Sequence, residues 1–127
     1  MSDSRQNDIG KIVWRDLTVP DAGKIKDFYC EVVGWTSTDH DMGDYADFNI
    51  IATGNGETVA GICHARGENA KLPPQWLIYI TVEDVEASLK KCVALGGKIV
   101  DGPRMMGKMK FCVIQDPAGA VAALISQ

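Results

Sequence analysis

Leu17-Thr18-Val19-Pro20-Asp21 and Ile80-Thr81-Val82-Glu83-Asp84 are one pattern written twice, 63 residues apart. The same spacing carries Gly34 to Gly97, where the segment after each copy ends. A repeat of about half the chain means two copies of one supersecondary unit, not a solenoid of many. Each copy reads as an apolar strand, an Asp, about a dozen helical residues, a Gly and then further strands.

In the first copy Ile25, Phe28, Tyr29, Val32 and Val33 recur at the helical period, with Lys24, Lys26, Asp27 and Glu31 on the other side. Asp21 is placed to cap that helix, and Gly34 can end it with a positive φ. The second helix begins near Asp84, carries Val85, Leu89, Cys92 and Val93 on its stripe, and ends at Gly96-Gly97. Strands are expected over Lys11 to Val19, Tyr45 to Ala52, Glu57 to Ala65, Trp76 to Val82, Lys98 to Val100, Met109 to Gln115 and Val121 to Ile125. Asn55-Gly56 reads as a type I′ hairpin turn, in which both central residues have positive φ. Asp116-Pro117-Ala118-Gly119 turns into the last strand. The order βαβββ, twice, predicts an α+β fold of mixed sheets with a helix on each. The expected organisation is a single domain over 1–127, with module one at about 10–65, a proline-bearing linker at about 66–75 and module two at about 76–126.

The 127 residues are 46% apolar and 24% charged, ordinary globular usage for one domain. No apolar run reaches the roughly 20 residues that span a bilayer. The first eight residues, Met1 to Asp8, are polar and do not resemble a secretory signal. Seventeen acidic against 13 basic residues give a net charge of −4, which argues against nucleic acid as a partner. The expected location is the cytoplasm, with no membrane association. Cys30, Cys63, Cys92 and Cys112 form no C-x-x-C pair and are read as reduced, mostly buried thiols.

The succession Leu17-x-Val19-x-Asp21, Phe28-Tyr29, Gly34-Trp35, Val82-Glu83-Asp84, Gly96-Gly97 and Asp116-Pro117-x-Gly119 resembles the vicinal oxygen chelate superfamily. That superfamily includes glyoxalase I, extradiol dioxygenases and bleomycin-resistance proteins. The resemblance covers residues 10–126. It implies a U-shaped cleft formed by the two βαβββ modules, a divalent metal in enzymatic members, and pairing into homodimers.

The metal ligands implied by the resemblance do not carry over. Trp14 stands where the first-strand His is expected, Leu77 at its repeat mate, and Ala123 where a Glu precedes the last strand's Leu. Repeat alignment puts Ala60 at the remaining position. None of these side chains donates a lone pair. No metal and no cofactor is therefore expected, with a divalent metal held elsewhere as the alternative. The only histidines are His40 and His64. His40, in Asp39-His40-Asp41-Met42-Gly43-Asp44, reads either as a cation site or as a solvated acidic loop.

By strand alternation Trp14, Asp16 and Thr18 share one face, and Leu77, Tyr79 and Thr81 share another. The resemblance aims both toward the cleft, along with Ala60, Ile62 and His64. Trp14, Asp16, Asn49, His64 and Tyr79 are the candidate ligand contacts, and Asp16 with His64 is the candidate acid–base pair. Trp14 also reads as a filler of the volume a metal and substrate would need. Trp35 and Trp76 read as core. Met105, Met106 and Met109 read either as an adaptable apolar lining or as a hairpin covering a sheet. Three functions stay open: binding of a small, flat or aromatic molecule; a lyase, isomerase or dioxygenase-type enzyme with a non-standard metal or the Asp16/His64 pair; and an accessory subunit with a filled cleft.

Overall fold

The structure is a computed structural model that describes residues 7–127; the polar residues 1–6 lie outside the described residues. The chain divides into two compact units, one of Arg15–Trp76 and one that joins the chain up to Trp14 with Leu77–Gln127. The first strand, β1 (Ile12–Val19), is divided between them.

The first unit continues from β1 through α1 (Ala22–Val33), β2 (Thr36–Asp41), β3 (Ala46–Ile51) and β4 (Thr58–His64). Its strand order is β2-β3-β4-β1. The β2/β3 and β3/β4 pairs are antiparallel. β1 and β4 run parallel, with Asp16 opposite Gly61 and Val19 opposite His64. The second unit contains β5 (Trp76–Thr81), α2 (Val85–Ala94), β6 (Lys98–Met106), β7 (Met109–Gln115) and β8 (Val121–Ser126), in the order β5-β8-β7-β6. β5 and β8 again run parallel, with Tyr79 opposite Ala123. The N-terminal segment joins this unit through Gly10 N–H to Thr81 O at 2.7 Å and Thr81 N–H to Lys11 O at 3.0 Å. The fold is thus α+β, built from two βαβββ modules.

Side-chain alternation sorts each unit into two faces. In the first, Leu17, Val19, Ile50, Ala60 and Ile62 bury against Ala22 of α1, with Ile25, Tyr29, Trp35, Phe48 and Trp76 packed around them. Trp76 Nε1–H donates to Tyr29 Oη at 3.1 Å, which satisfies the indole of a largely apolar cluster. Trp35 and Trp76 are core residues, as expected. The opposite face of the same strands bears Asp16, Thr18, Asp47, Asn49, Gly61 and Cys63. In the second unit Val85, Leu89, Cys112 and Leu124 form the helix-side core, flanked by Ile80, Val82 and Ile114. Its other face carries Tyr79, Thr81, Phe111, Val113, Ala123 and Ile125, with Tyr79 stacked on Phe111 at 5.7 Å.

The helix signals are met unequally. Asp84 caps α2, its carboxylate accepting from Glu86 N–H at 3.0 Å and Ala87 N–H at 3.4 Å. Asp21 precedes α1 without a side-chain capping bond, while Gly34 closes that helix at φ 86°. The apolar stripe of α1 is wider than its contact with the sheet. Ala22, Ile25 and Tyr29 pack inward, whereas Phe28 and Val32 are 55% and 65% exposed.

Three local readings are corrected. The acidic run around His40 is not a loop up to Asp41. Asp39-His40-Asp41 ends β2, where antiparallel pairing with β3 overrides a composition poor in strand formers. The β3–β4 connection is not a type I′ turn, because only Gly56 takes a positive φ there. Asn55 instead accepts the Glu57 N–H through its side chain at 3.0 Å. Finally, β6 runs to Met106 rather than stopping at Val100. It passes Gly102 and Pro103 through two register shifts against β7 that let an irregular sequence stay paired. The methionines then sit on a β6–β7 hairpin turned at Gly107, with Met105 and Met106 exposed.

Gly102 is the residue that irregularity requires. Its φ is +87°, and a Cβ there would lie 2.7 Å from Phe111 O and 3.0 Å from Cys112 Cα, both backbone atoms that cannot step aside. Gly102→Ala should cost roughly 2–5 kcal/mol from strain and overpacking together. The check is the urea midpoint at unchanged m-value; a midpoint equal to the parent's contradicts this role for Gly102.

Candidate functional site

Each sequence-derived candidate has a definite place. Trp14 and Asp16 are half-buried on β1, Asn49 is half-buried on β3, and Tyr79 is buried on β5. Asn49 Nδ2–H donates to Thr38 Oγ1 at 3.3 Å. Asp16 lies directly over Gly61, close enough that a Cβ at 61 would overlap its carboxylate. The missing side chain of Gly61 is what gives Asp16 its room. Asp16 faces Gly61 and Tyr79 faces Ala123 in matching parallel pairs, so Asp16 and Tyr79 occupy equivalent places in the two modules.

The same registers correct the repeat alignment. Ala123 corresponds to Gly61, 62 residues earlier, not to Ala60. Ala60 points into the helix-side core. The positions that resemble metal-ligand sites are then Trp14, Leu77, Gly61 and Ala123. An indole, an isobutyl group, a hydrogen and a methyl group do not fit a divalent cation. No group of three or more His, Cys, Asp or Glu side chains is gathered for a metal ion among the described residues.

Asp16 and His64 are not brought together. Val19, not Asp16, stands opposite His64, and Asp16 falls on the Gly61–Cys63 face while Ala60 and Ile62 point the other way. The expectation that all of them share one face therefore fails, because a one-residue difference in register exchanges the faces. His64 instead engages Asp47. Asp47 Oδ1 accepts the His64 main-chain N–H at 2.8 Å and faces the ring Nδ1 at 3.2 Å. Tyr45 meets the imidazole edge-on with centroids 5.4 Å apart, and Phe48 lies 6.0 Å away. Arg66 covers the Tyr45 ring at 3.8 Å and reaches Asp44 at 3.6 Å. His40 is exposed on β2.

Two further groups were not singled out from sequence. Cys63 shares its face with Asp16 and Asp47. Burial pushes its thiol far up, and the two nearby carboxylates and a hydrogen bond to Asp47 push the same way. In the second unit Arg104 donates from Nε and Nη2 to Asp101 Oδ2 at 3.2 and 3.1 Å while its guanidinium lies 4.7 Å over Phe111. Asp47 shares a strand face with Asn49 by alternation alone; for Asp101 the available signal was a polar residue after Ile99-Val100.

Burial also raises the Cys112 thiol, to about 11. Both native thiols hold their protons where an unfolded thiol, at 9.0, gives its proton up. The unfolded state then binds fewer protons, so this contribution to stability is complete below pH 9.0 and declines as pH rises past it. Urea unfolding in reductant should show that decline, and Cys112→Ala should flatten part of it. Native protein titrated with a thiol-specific disulfide reagent below pH 9.0 should keep Cys63 and Cys112 unlabelled; rapid labelling of either contradicts the burial argument.

Known proteins place the chain. The profile described as "Glyoxalase/Bleomycin resistance protein/Dioxygenase superfamily" matches residues 9–124. The protein named "Putative glyoxylase CFP32" from Mycobacterium tuberculosis (strain CDC 1551 / Oshkosh) is 36% identical over 115 residues, covering 87% of this chain and 43% of that protein. "Anthracycline biosynthesis protein DnrV" of Streptomyces peucetius is 28% identical over 131 residues, covering 91% of this chain and 46% of its own. The chain thus spans less than half the length of these curated relatives. Among solved structures, a glyoxalase/bleomycin resistance protein/dioxygenase superfamily member from Vibrio splendidus 12B01 aligns with TM-score 0.57 at 13% identity, covering 90% of this chain and 97% of that one. Methylmalonyl-CoA epimerase from Mycobacterium tuberculosis aligns at 0.56 and 14%, covering 98% and 95%. These two share the fold. The match over nearly the whole chain makes this protein a member of the glyoxalase/bleomycin resistance protein/dioxygenase superfamily.

Proposed function

We propose that this protein binds a small, flat or aromatic molecule without a resident divalent metal, as a homodimer in the cytoplasm, with residues 1–127 acting as one glyoxalase-like domain. Trp14, Asp16, Asn49 and Tyr79 are the proposed contacts. The observation that carries the reading is chemical: Trp14, Leu77, Gly61 and Ala123 present no lone pair where the family resemblance implies ligands. Aromatic rings beside isolated polar groups suit a small organic ligand better than a hard cation. An anthracycline is a flat polycycle, and one relative is named for its biosynthesis.

A second reading, an enzyme that moves protons, is favoured by one contact. Asp47 holds His64 by the ring and the main chain. In it His64 keeps its candidate catalytic role, with Asp47 in place of Asp16 as its partner. The homodimer is supported by the exposed apolar residues Phe28 and Val32 on α1.

Elemental analysis of untagged protein should find well under one divalent ion per chain, and chelator should leave the melting temperature unmoved. Titration with indole as a flat probe should show saturable binding that Trp14→Ala weakens. Being half-buried, Trp14 should cost less on truncation than the roughly 3–5 kcal/mol of a fully packed Trp. A stoichiometric metal, or no binding of flat aromatics, overturns the reading. Light scattering should return about twice the chain mass of 13.8 kDa; the single-chain value counts against the dimer.

A further inference from the structure

The His64 imidazole is held at one nitrogen and presented at the other. Asp47 Oδ1 takes the main-chain N–H of His64 at 2.8 Å and faces Nδ1 at 3.2 Å, and the Asp47 carboxylate is also hydrogen-bonded by the Cys63 thiol. A carboxylate oxygen so surrounded by donors is an acceptor, which puts the ring hydrogen on Nδ1 and leaves the Nε2 lone pair free of that bond. The Asp47 side chain is 8% exposed and that of His64 24%, so the anchor is buried while the imidazole still meets solvent. Tyr45 and Phe48 flank the ring, and on that side Arg66 stacks on Tyr45 and pairs with Asp44 at 3.6 Å.

We propose that this end of β4 is a proton-acceptor site for a planar ligand bearing a weakly acidic hydroxyl, a phenol or an enol. It rests on the reading that the chain takes flat small molecules, and adds the group by which one is recognised. The ligand O–H bond breaks and an Nε2–H bond forms. The electron pair stays on the ligand oxygen as a phenolate or enolate, and the imidazolium is balanced by the Asp47 carboxylate. Nothing is oxidised or reduced, and no co-reactant is consumed. His64 touches the ligand; Asp47 is a positioning residue.

The probe is 4-nitrophenol, whose phenolate absorbs at longer wavelength than the phenol, with 4-nitroanisole as a partner of the same shape that has no proton to give. The 127-residue chain is titrated at a pH below the pKa of the free phenol. The expected result is saturable binding of 4-nitrophenol with growth of the phenolate band, and binding of 4-nitroanisole about tenfold weaker, the equivalent of one lost hydrogen bond. His64→Gln should abolish the band. Asp47→Asn, which keeps size and hydrogen bonding but removes the charge, should lower the phenolate fraction at saturating probe, an effect that a merely structural role for Asp47 would not produce. Nitrogen-detected NMR should place the hydrogen of free His64 on Nδ1. Equal binding of both probes with no phenolate band overturns the proton-acceptor site and leaves the flat-ligand reading standing. No binding of either probe overturns both. A phenolate band that persists in folded His64→Gln assigns the proton elsewhere and overturns the role of His64.

Discussion

Parallel pairing of the first and last strand of each module is the constraint on which everything else hangs. β1 with β4, and β5 with β8, cannot be joined by a tight turn; the chain must leave the sheet and return over it. α1 and α2 make those excursions, and each covers one face of its strands with an apolar cluster. Once that face is covered, alternation fixes what the other face must display. In the first unit it displays Asp16, Asp47, Asn49 and Cys63; in the second, Tyr79, Phe111 and Ala123. A slip of one residue in either pair would exchange the two sets, placing carboxylates under a helix and leucines in their stead.

That dependence explains which parts of the molecule were legible in the sequence. The repeated Leu/Ile-x-Val-x-Asp pattern, the helix periods and Gly34 are local signals, and the elements they announce are present. β2 was invisible because Thr36–Asp41 is polar and becomes a strand only through its ladder to β3. The length of β6 was hidden by Gly102 and Pro103, which read as a break until bulges against β7 absorb them. The candidate residues were harder. Trp14, Asp16 and Tyr79 follow from alternation along single strands. The relation of Asp16 to His64 depended on how β4 lines up against β1, and no periodicity within either strand encodes that offset. β4 pairs with β1 so that Val19 stands opposite His64 and Gly61 opposite Asp16, and His64 meets Asp47 rather than Asp16.

Gly61 shows how a residue without a side chain can shape chemistry. At the position equivalent to Ala123 it leaves the space that the Asp16 carboxylate occupies. A donor side chain there would have to displace Asp16, so the first unit spends this position on a carboxylate reaching across from β1. Its mate in the second unit does the opposite. Tyr79 opposite Ala123 turns to Phe111, and an aromatic stack takes the place of the charge. The two modules share a backbone plan and diverge in what the plan presents, one polar and one aromatic.

The thiol among the carboxylates sets the character of the polar face. A cysteine acts as nucleophile or soft ligand through its thiolate. Cys63 is half-buried, and Asp16 and Asp47 add negative charge that opposes a second anion beside them. It therefore stays a thiol and spends its hydrogen on Asp47. Covalent catalysis and thiolate–metal bonding from this face would each require removing that proton against the same field. The other polar groups on the face are the carboxylates of Asp16 and Asp47, the amide of Asn49 and the hydroxyl of Thr18. A ligand that lies against them gains by bringing hydrogen-bond donors or positive charge and loses by bringing further anions. The imidazole at the edge of this group differs from them, since its Nδ1 lies toward Asp47 and its Nε2 is not engaged by that contact.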